Sequence, residues 1–161
     1  MVIIEDTRQQ SGKHERKHQQ FDELGVLVIR SKLPFGDYAL PPRIAIDTKA
    51  SLFEVANNLC GNVAEKQRFI RECKAARDAG TELVFLIEVG KYKSSADLIG
   101  HDIKLKNGRI VHGAQIHQAM VMVSARYGCR FEFCPPGKSG KRICELLGVD
   151  NNNVGQRLHQ T

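Results

Sequence analysis

The stretch from Gly36 to Lys49, GDYALPPRIAIDTK, constrains this chain more than any other. Phe35 to Leu40 reads as one extended segment and Ile44 to Lys49 as its return. Pro41-Pro42 stands between them, and because proline has no N–H to give to a ladder, the pair marks a turn. Side chains alternate along a strand, so Asp47 and Lys49 point to one face, with Ala45. If residues 41–43 form a three-residue loop, Leu40 pairs with Ile44 and Asp37 lies opposite Asp47. A two-residue loop would shift every pair by one and break the alignment.

Two carboxylates on neighbouring strands can converge on one divalent cation. Two hard oxygen ligands, completed by water and a substrate phosphate, suit Mg²⁺. Lys49 on the same face could orient or deprotonate a water, or neutralise developing charge. Such a set would hydrolyse a phosphodiester. The same spacing also suits a surface ion pair between Asp47 and Lys49, and spacing alone favours that plainer reading. Asp6, at the end of the apolar run Val2-Ile3-Ile4, is a second candidate ligand, with Arg8 two residues on. It reads equally as an ordinary strand-end aspartate. Glu88, closing the run Leu83-Val84-Phe85-Leu86-Ile87, reads as structural.

The remaining elements alternate in the manner of a mixed α/β domain. Residues 14–24 are polar and helix-permissive, with Phe21 and Leu24 as a thin apolar stripe, and Gly25 is a good stop. Val26 to Ile29 is a second strand. Ser51-x-x-Glu54 is a capping box, so a helix should start there. Asn62 and Glu65 repeat that signal ahead of a helix over 63–79, with Phe69, Ile70, Cys73 and Ala76 on one face. The unbroken apolar run at 83–87 is expected to be a buried central strand. Asn107-Gly108 predicts a tight hairpin over 103–111. Ile116, Met120, Val123 and Tyr127 recur at helical spacing. Residues 130–133 form a short strand and 138–147 a last helix. No internal repeat is visible. Residues 1–149 are expected to form one domain and 150–161 a polar tail.

Composition excludes some classes and leaves others open. At 161 residues, with 42% hydrophobic and 26% charged residues, the chain can build one ordinary core. No apolar run reaches about 18 residues, so no membrane span is expected, and the N-terminus does not read as a secretory signal. The five cysteines are irregularly spaced, which suits reduced thiols in a cytoplasmic protein better than a disulfide framework or zinc. A net charge of +6 is compatible with a polyanionic partner.

IEDTRQ, GDYAL, IDTK and LVFLIE, in that order, make the chain resemble the XPF/MUS-type nuclease domain of the PD-(D/E)XK superfamily. That family carries a V-D-x-R-E strand end, then GD followed across a turn by ERKx(3)D. Asp6 and Arg8 match the first motif, Gly36 and Asp37 the GD, and Asp47 and Lys49 the acid and lysine of ERK. The resemblance covers roughly residues 2 to 147. It implies a restriction-endonuclease-like core, a mixed sheet flanked by helices. It implies a metal-dependent endonuclease acting on branched or flapped DNA in repair, recombination or phage replication, inside a bacterial or phage-infected cell. Mg²⁺ or Mn²⁺ would sit on Asp37 and Asp47, with Asp6 assisting directly or through water. Lys49 would position the attacking water and Arg8 contact the scissile phosphate. Two copies pairing as a homodimer would suit two nicks on a junction.

The sequence departs from the family pattern at four places. Asp47 replaces a glutamate, Thr48 an arginine and Gln9 a glutamate, and the last aspartate falls on Phe53, with Glu54 next to it. These changes keep open a DNA-binding scaffold of the same fold without turnover. Two basic features could hold the DNA backbone: Lys104, Lys106 and Arg109 around the hairpin, and Lys138, Lys141 and Arg142 at the last helix. An edge guarded by lysines and a plain solvated helix start are the alternatives. His14 and His18 read as a solvated helix face.

Overall fold

The computed structural model describes residues 1–149; the polar tail expected at 150–161 lies outside the described residues. A six-stranded mixed sheet runs through the molecule in the order β2-β1-β3-β4-β5-β8. β1 (Val2–Asp6) lies parallel to β2 (Leu27–Ser31) on one side and antiparallel to β3 (Tyr38–Leu40) on the other. β3 turns back into β4 (Ile44–Lys49), and β5 (Glu82–Ile87) and β8 (Arg130–Phe133) continue the sheet in parallel. A separate hairpin, β6 (Asp102–Lys104) and β7 (Ile110–His112), stands off the main sheet. The expected mixed α/β architecture is therefore present.

Both faces of the sheet are covered. Ile3, Tyr38, Ile46, Val84 and Leu86 pack under α1 (Glu15–Glu23) and α5 (Ser139–Leu147), through Phe21, Ile143 and Leu147. On the other face, Ala45, Leu83 and Phe85 meet α3 (Val63–Asp78) and α4 (Gly113–Tyr127) through Phe69, Cys73 and Val123. Ile87 meets α2 (Leu52–Cys60) and α4 through Val55, Ile116 and Met120. Double coverage is why β5 reads as an uninterrupted apolar run. The expected cap signals are made. Ser51 Oγ accepts from the Glu54 N–H at 3.2 Å, and Asn62 Oδ1 from the Glu65 N–H at 2.9 Å. The thiols of all five cysteines are free, as expected.

Three expectations are corrected in detail. The strand expected from Phe35 begins only at Tyr38, because Gly36 takes a φ of +74° that ends regular pairing. The tight Asn107-Gly108 turn is replaced by a longer loop, in which Lys104 pairs with Ile110 and the Leu105 N–H reaches the Arg109 carbonyl at 2.8 Å. Burial decides this register: it places Ile103, Leu105 and Val111 together against α2 and α4, where a one-residue shift would turn Val111 away. Finally, α1 is not merely a thin stripe on a solvated helix. Lys17 and Gln20 are buried with Phe21, and Gln20 joins α1 to α5 by donating to the Gly137 carbonyl and accepting from the Lys141 N–H.

Phe85 is fully buried, stacked between Phe69 and Phe131 at centroid distances of 4.6 and 5.2 Å. Truncation to Phe85→Ala is expected to lower stability by about 3–5 kcal/mol. Urea unfolding followed by far-UV circular dichroism measures it.

Candidate active site

The antiparallel register of β3 and β4 runs Leu40↔Ile44, Ala39↔Ala45, Tyr38↔Ile46, as the three-residue loop requires. One residue further the regular ladder stops. The Asp37 N–H bonds back to the Ile46 carbonyl at 2.7 Å, and the Thr48 N–H is taken by the side chain of Asp37 at 2.8 Å. Gly36 makes this possible. Beyond its positive φ, a Cβ there would lie 3.1 Å from the Ile46 carbonyl oxygen and 3.3 Å from the Ala45 Cβ. Its own N–H donates to Glu72 Oε1 of α3 at 3.0 Å.

Asp37 is held at three points. Oδ2 accepts from the N–H and the hydroxyl of Thr48, and Oδ1 accepts from the side-chain amide of Gln9. Asp47 and Lys49 follow on β4, both buried, with Lys49 Nζ 2.8 Å from Asp47 Oδ1. Glu54, in the first turn of α2, comes within 3.7 Å of the same ammonium. Burial pushes the Asp47 carboxyl well above the usual carboxylate range; Lys49 opposes this, while the charges of Glu72 and Asp37 add to it. Burial also works against the Lys49 ammonium, but Asp47 and then Glu54 outweigh it and raise its pKa. Asp37, Asp47, Lys49 and Glu54 line one cleft of about 280 Å³ at the C-terminal end of β4.

A divalent metal fits this donor set. The carboxyl of Asp47 is buried beside the charges of Glu72 and Asp37, which disfavours its own charge, and a hard cation held with Asp37 would relieve that. Among the described residues no group of three or more His, Cys, Asp or Glu forms a metal cage. Asp37 and Asp47 are the carboxylates beside Lys49 in the cleft that could hold a hard cation.

The structure does not bring Asp6 and Arg8 to the lining of this cleft. Both Asp6 oxygens are occupied by Arg8: Oδ1 by its N–H at 2.8 Å and Oδ2 by the guanidinium, which also reaches the Leu33 carbonyl at 3.0 Å. Asp6 is nevertheless adjacent through the backbone, its N–H donating to the Asp37 carbonyl at 2.8 Å. Among the basic residues, Lys106 pairs with Glu65 at 3.7 Å, Arg109 donates to the Cys60 carbonyl and Lys104 is exposed. A larger groove of about 1110 Å³ carries Lys138, Lys141 and Arg142 beside Arg16. Arg142 is engaged there by Glu132 at 3.0 Å and Glu145 at 2.8 Å.

The ERCC4 domain matches residues 5–140. The chain belongs to the ERCC4 domain family. Its fold is that of XPF from Aeropyrum pernix, with a TM-score of 0.65 at 19% identity over 98% of this chain and 67% of that one. A second structure, XPF from Aeropyrum pernix in complex with DNA, gives 0.63 at 18% identity over 99% of this chain and 68% of that one. No curated protein matches the sequence. The family resemblance carried by IEDTRQ, GDYAL and IDTK is borne out.

Several site residues were missed by sequence reasoning. Gln9 and Thr48 stood out only as departures from the family pattern, yet they hold Asp37. Glu54, next to the mismatched Phe53, lines the cleft. His14 and Glu88, read as solvated and structural, line it too, with Lys17. His18 is partly solvated, as expected of a polar helix face, and its ring also lies 3.2 Å from the buried Glu5 carboxylate. The apolar run of β5 already places Glu88 at the strand end, but nothing local indicates Lys17.

Burial opposes the charge on Asp6, but the hydrogen bonds from Arg8 prevail and hold its pKa below the usual aspartate value. Its ionised form therefore stabilises the fold above roughly pH 3.9, and that contribution is lost as pH falls through the lowered folded value. Asp6→Asn is expected to lower stability at neutral pH and flatten the acid limb of a stability–pH curve. Urea titrations from neutral to acid pH give the comparison.

Proposed function

We propose that this protein is a metal-dependent endonuclease that hydrolyses phosphodiester bonds in branched or flapped DNA, in repair, recombination or phage replication. The observation that carries this is the convergence of Asp37, Asp47 and Lys49 on one cleft in a chain of the ERCC4 domain family. The XPF structure solved with DNA supports a nucleic-acid partner for the same fold. Asp37 and Asp47 would hold Mg²⁺ or Mn²⁺. Such an ion supplies Lewis-acid polarisation of the phosphoryl oxygen and an acidified water.

The chain's own residues do the rest. Thr48 and Gln9 keep the Asp37 carboxylate aimed, so the site is preorganised. Lys49 holds a water or the developing negative charge beside Asp47. Asp6 acts indirectly in this reading, by fixing Arg8 and the backbone of Asp37, and Arg8 supplies an exposed cation for the substrate. Lys104, Lys106 and Arg109 on the hairpin, and Lys138 and Lys141 on the α5 side, extend the basic surface toward flanking phosphates. Two nicks on one junction would call for two copies. The free thiols suit an intracellular, reducing setting.

Asp37→Ala and Asp47→Ala are each expected to abolish Mg²⁺-dependent cleavage of labelled flap, fork and junction substrates while leaving the circular dichroism spectrum unchanged. Undiminished cleavage by the double variant would overturn the assignment. Binding of branched DNA by the unmodified protein, without product at any Mg²⁺ or Mn²⁺ concentration, would favour a non-catalytic scaffold.

A further inference from the structure

The cleft has a second wall that the acid–lysine motif does not use. At the ends of the adjacent parallel strands β4 and β5, the Glu88 N–H donates to the Lys49 carbonyl at 2.8 Å. Glu88 then pairs with Lys17 of α1, Nζ to Oε1, at 2.6 Å. Alternation along β5 puts Glu88 on the face of Leu86, under α1, whereas Lys49 shares the face of Asp47, under α2 and α3. Two lysine–carboxylate pairs thus flank one cleft from opposite sides of the sheet.

The Lys17–Glu88 pair is costly to hold. Its side chains are only 10% and 13% exposed, and withdrawing two charges from water commonly offsets what their attraction returns. An apolar pair would close the same wall. The contact is also poorly directed, since Glu88 Oε1 has no well-oriented hydrogen bond despite the short separation. An ammonium has three donors and Glu88 engages at most one, which leaves Lys17 able to meet an acceptor in the cleft. The cleft is otherwise rich in acids, with Asp37, Asp47 and Glu54 beside Lys49. A polyanion entering it needs a second cation.

We propose that Lys17 binds a nucleic-acid backbone phosphate next to the one being cut, and that the charge of Glu88 keeps its ammonium at the cleft wall. This rests on the nuclease reading above and adds a positioning residue to it. Contact with a neighbouring phosphate is made alike before and during bond cleavage, so it acts on binding more than on turnover.

The test is Lys17→Met, with Lys17→Arg as the charge-conserving control, in flap binding at several salt concentrations and in steady-state cleavage. If Lys17 takes one phosphate, Lys17→Met shallows the slope of log K against log salt by about 0.9 and raises KM with kcat nearly unchanged, while Lys17→Arg retains the slope. A folded Lys17→Met with the wild-type slope and KM overturns the inference and leaves the nuclease reading intact. If Lys17→Met does not fold, the double variant Lys17→Met with Glu88→Leu replaces the ion pair by an apolar one, and its slope is read the same way. A wild-type protein that neither binds nor cuts DNA overturns both readings.

Discussion

The carboxylate of Asp37 receives the N–H and hydroxyl of Thr48 on one oxygen and the amide of Gln9 on the other. This hold ties together the ends of β1, β3 and β4, because the Asp37 carbonyl also accepts the Asp6 N–H. The strands leave the ladder here, and backbone groups that would otherwise lack partners are satisfied by a side chain. The site depends on that substitution. It brings Asp37 to the cleft beside Asp47 and Lys49 with its orientation already determined.

The departures from the family pattern make physical sense in this frame. A glutamate at position 9 could not donate to Asp37, whereas Gln9 does. The arginine that the family places beside its lysine is here Thr48, short enough to turn its hydroxyl onto the neighbouring carboxylate. Phe53 occupies the position of a family aspartate and is exposed, but Glu54 lines the cleft one residue later. Gln9 and Thr48 both act on Asp37, and Asp47 and Glu54 keep the acid character of the cleft.

Buried charge recurs through this end of the molecule. Glu5 faces His18 and Arg30, Asp6 faces Arg8, Asp47 faces Lys49 and Glu88 faces Lys17. Each acid lies at or near the end of a strand, where the sheet gives way to loops and water can still approach. Such pairs add little to stability by themselves. Two of them, Asp47–Lys49 and Glu88–Lys17, line the same cleft, which fits a surface built to receive a charged ligand.

Local chemistry alone accounts for much of this. The alternation of IAIDTK settles that Asp47 and Lys49 share a face. The Pro41–Arg43 turn sets the Leu40↔Ile44 register, and side-chain caps start α2 and α3. These features depend on neighbours a few residues apart, so the sequence contains them. The hairpin register was not legible, because the turn preference of Asn107-Gly108 yields to the burial of Leu105 and Val111 against other helices. Nor was the second wall of the cleft. Lys17 is an ordinary lysine on a polar helix until packing of α1 over the sheet carries it to Glu88, 71 residues later in the chain. Only tertiary structure decides contacts of that kind, since their energy comes from which surfaces are removed from water together.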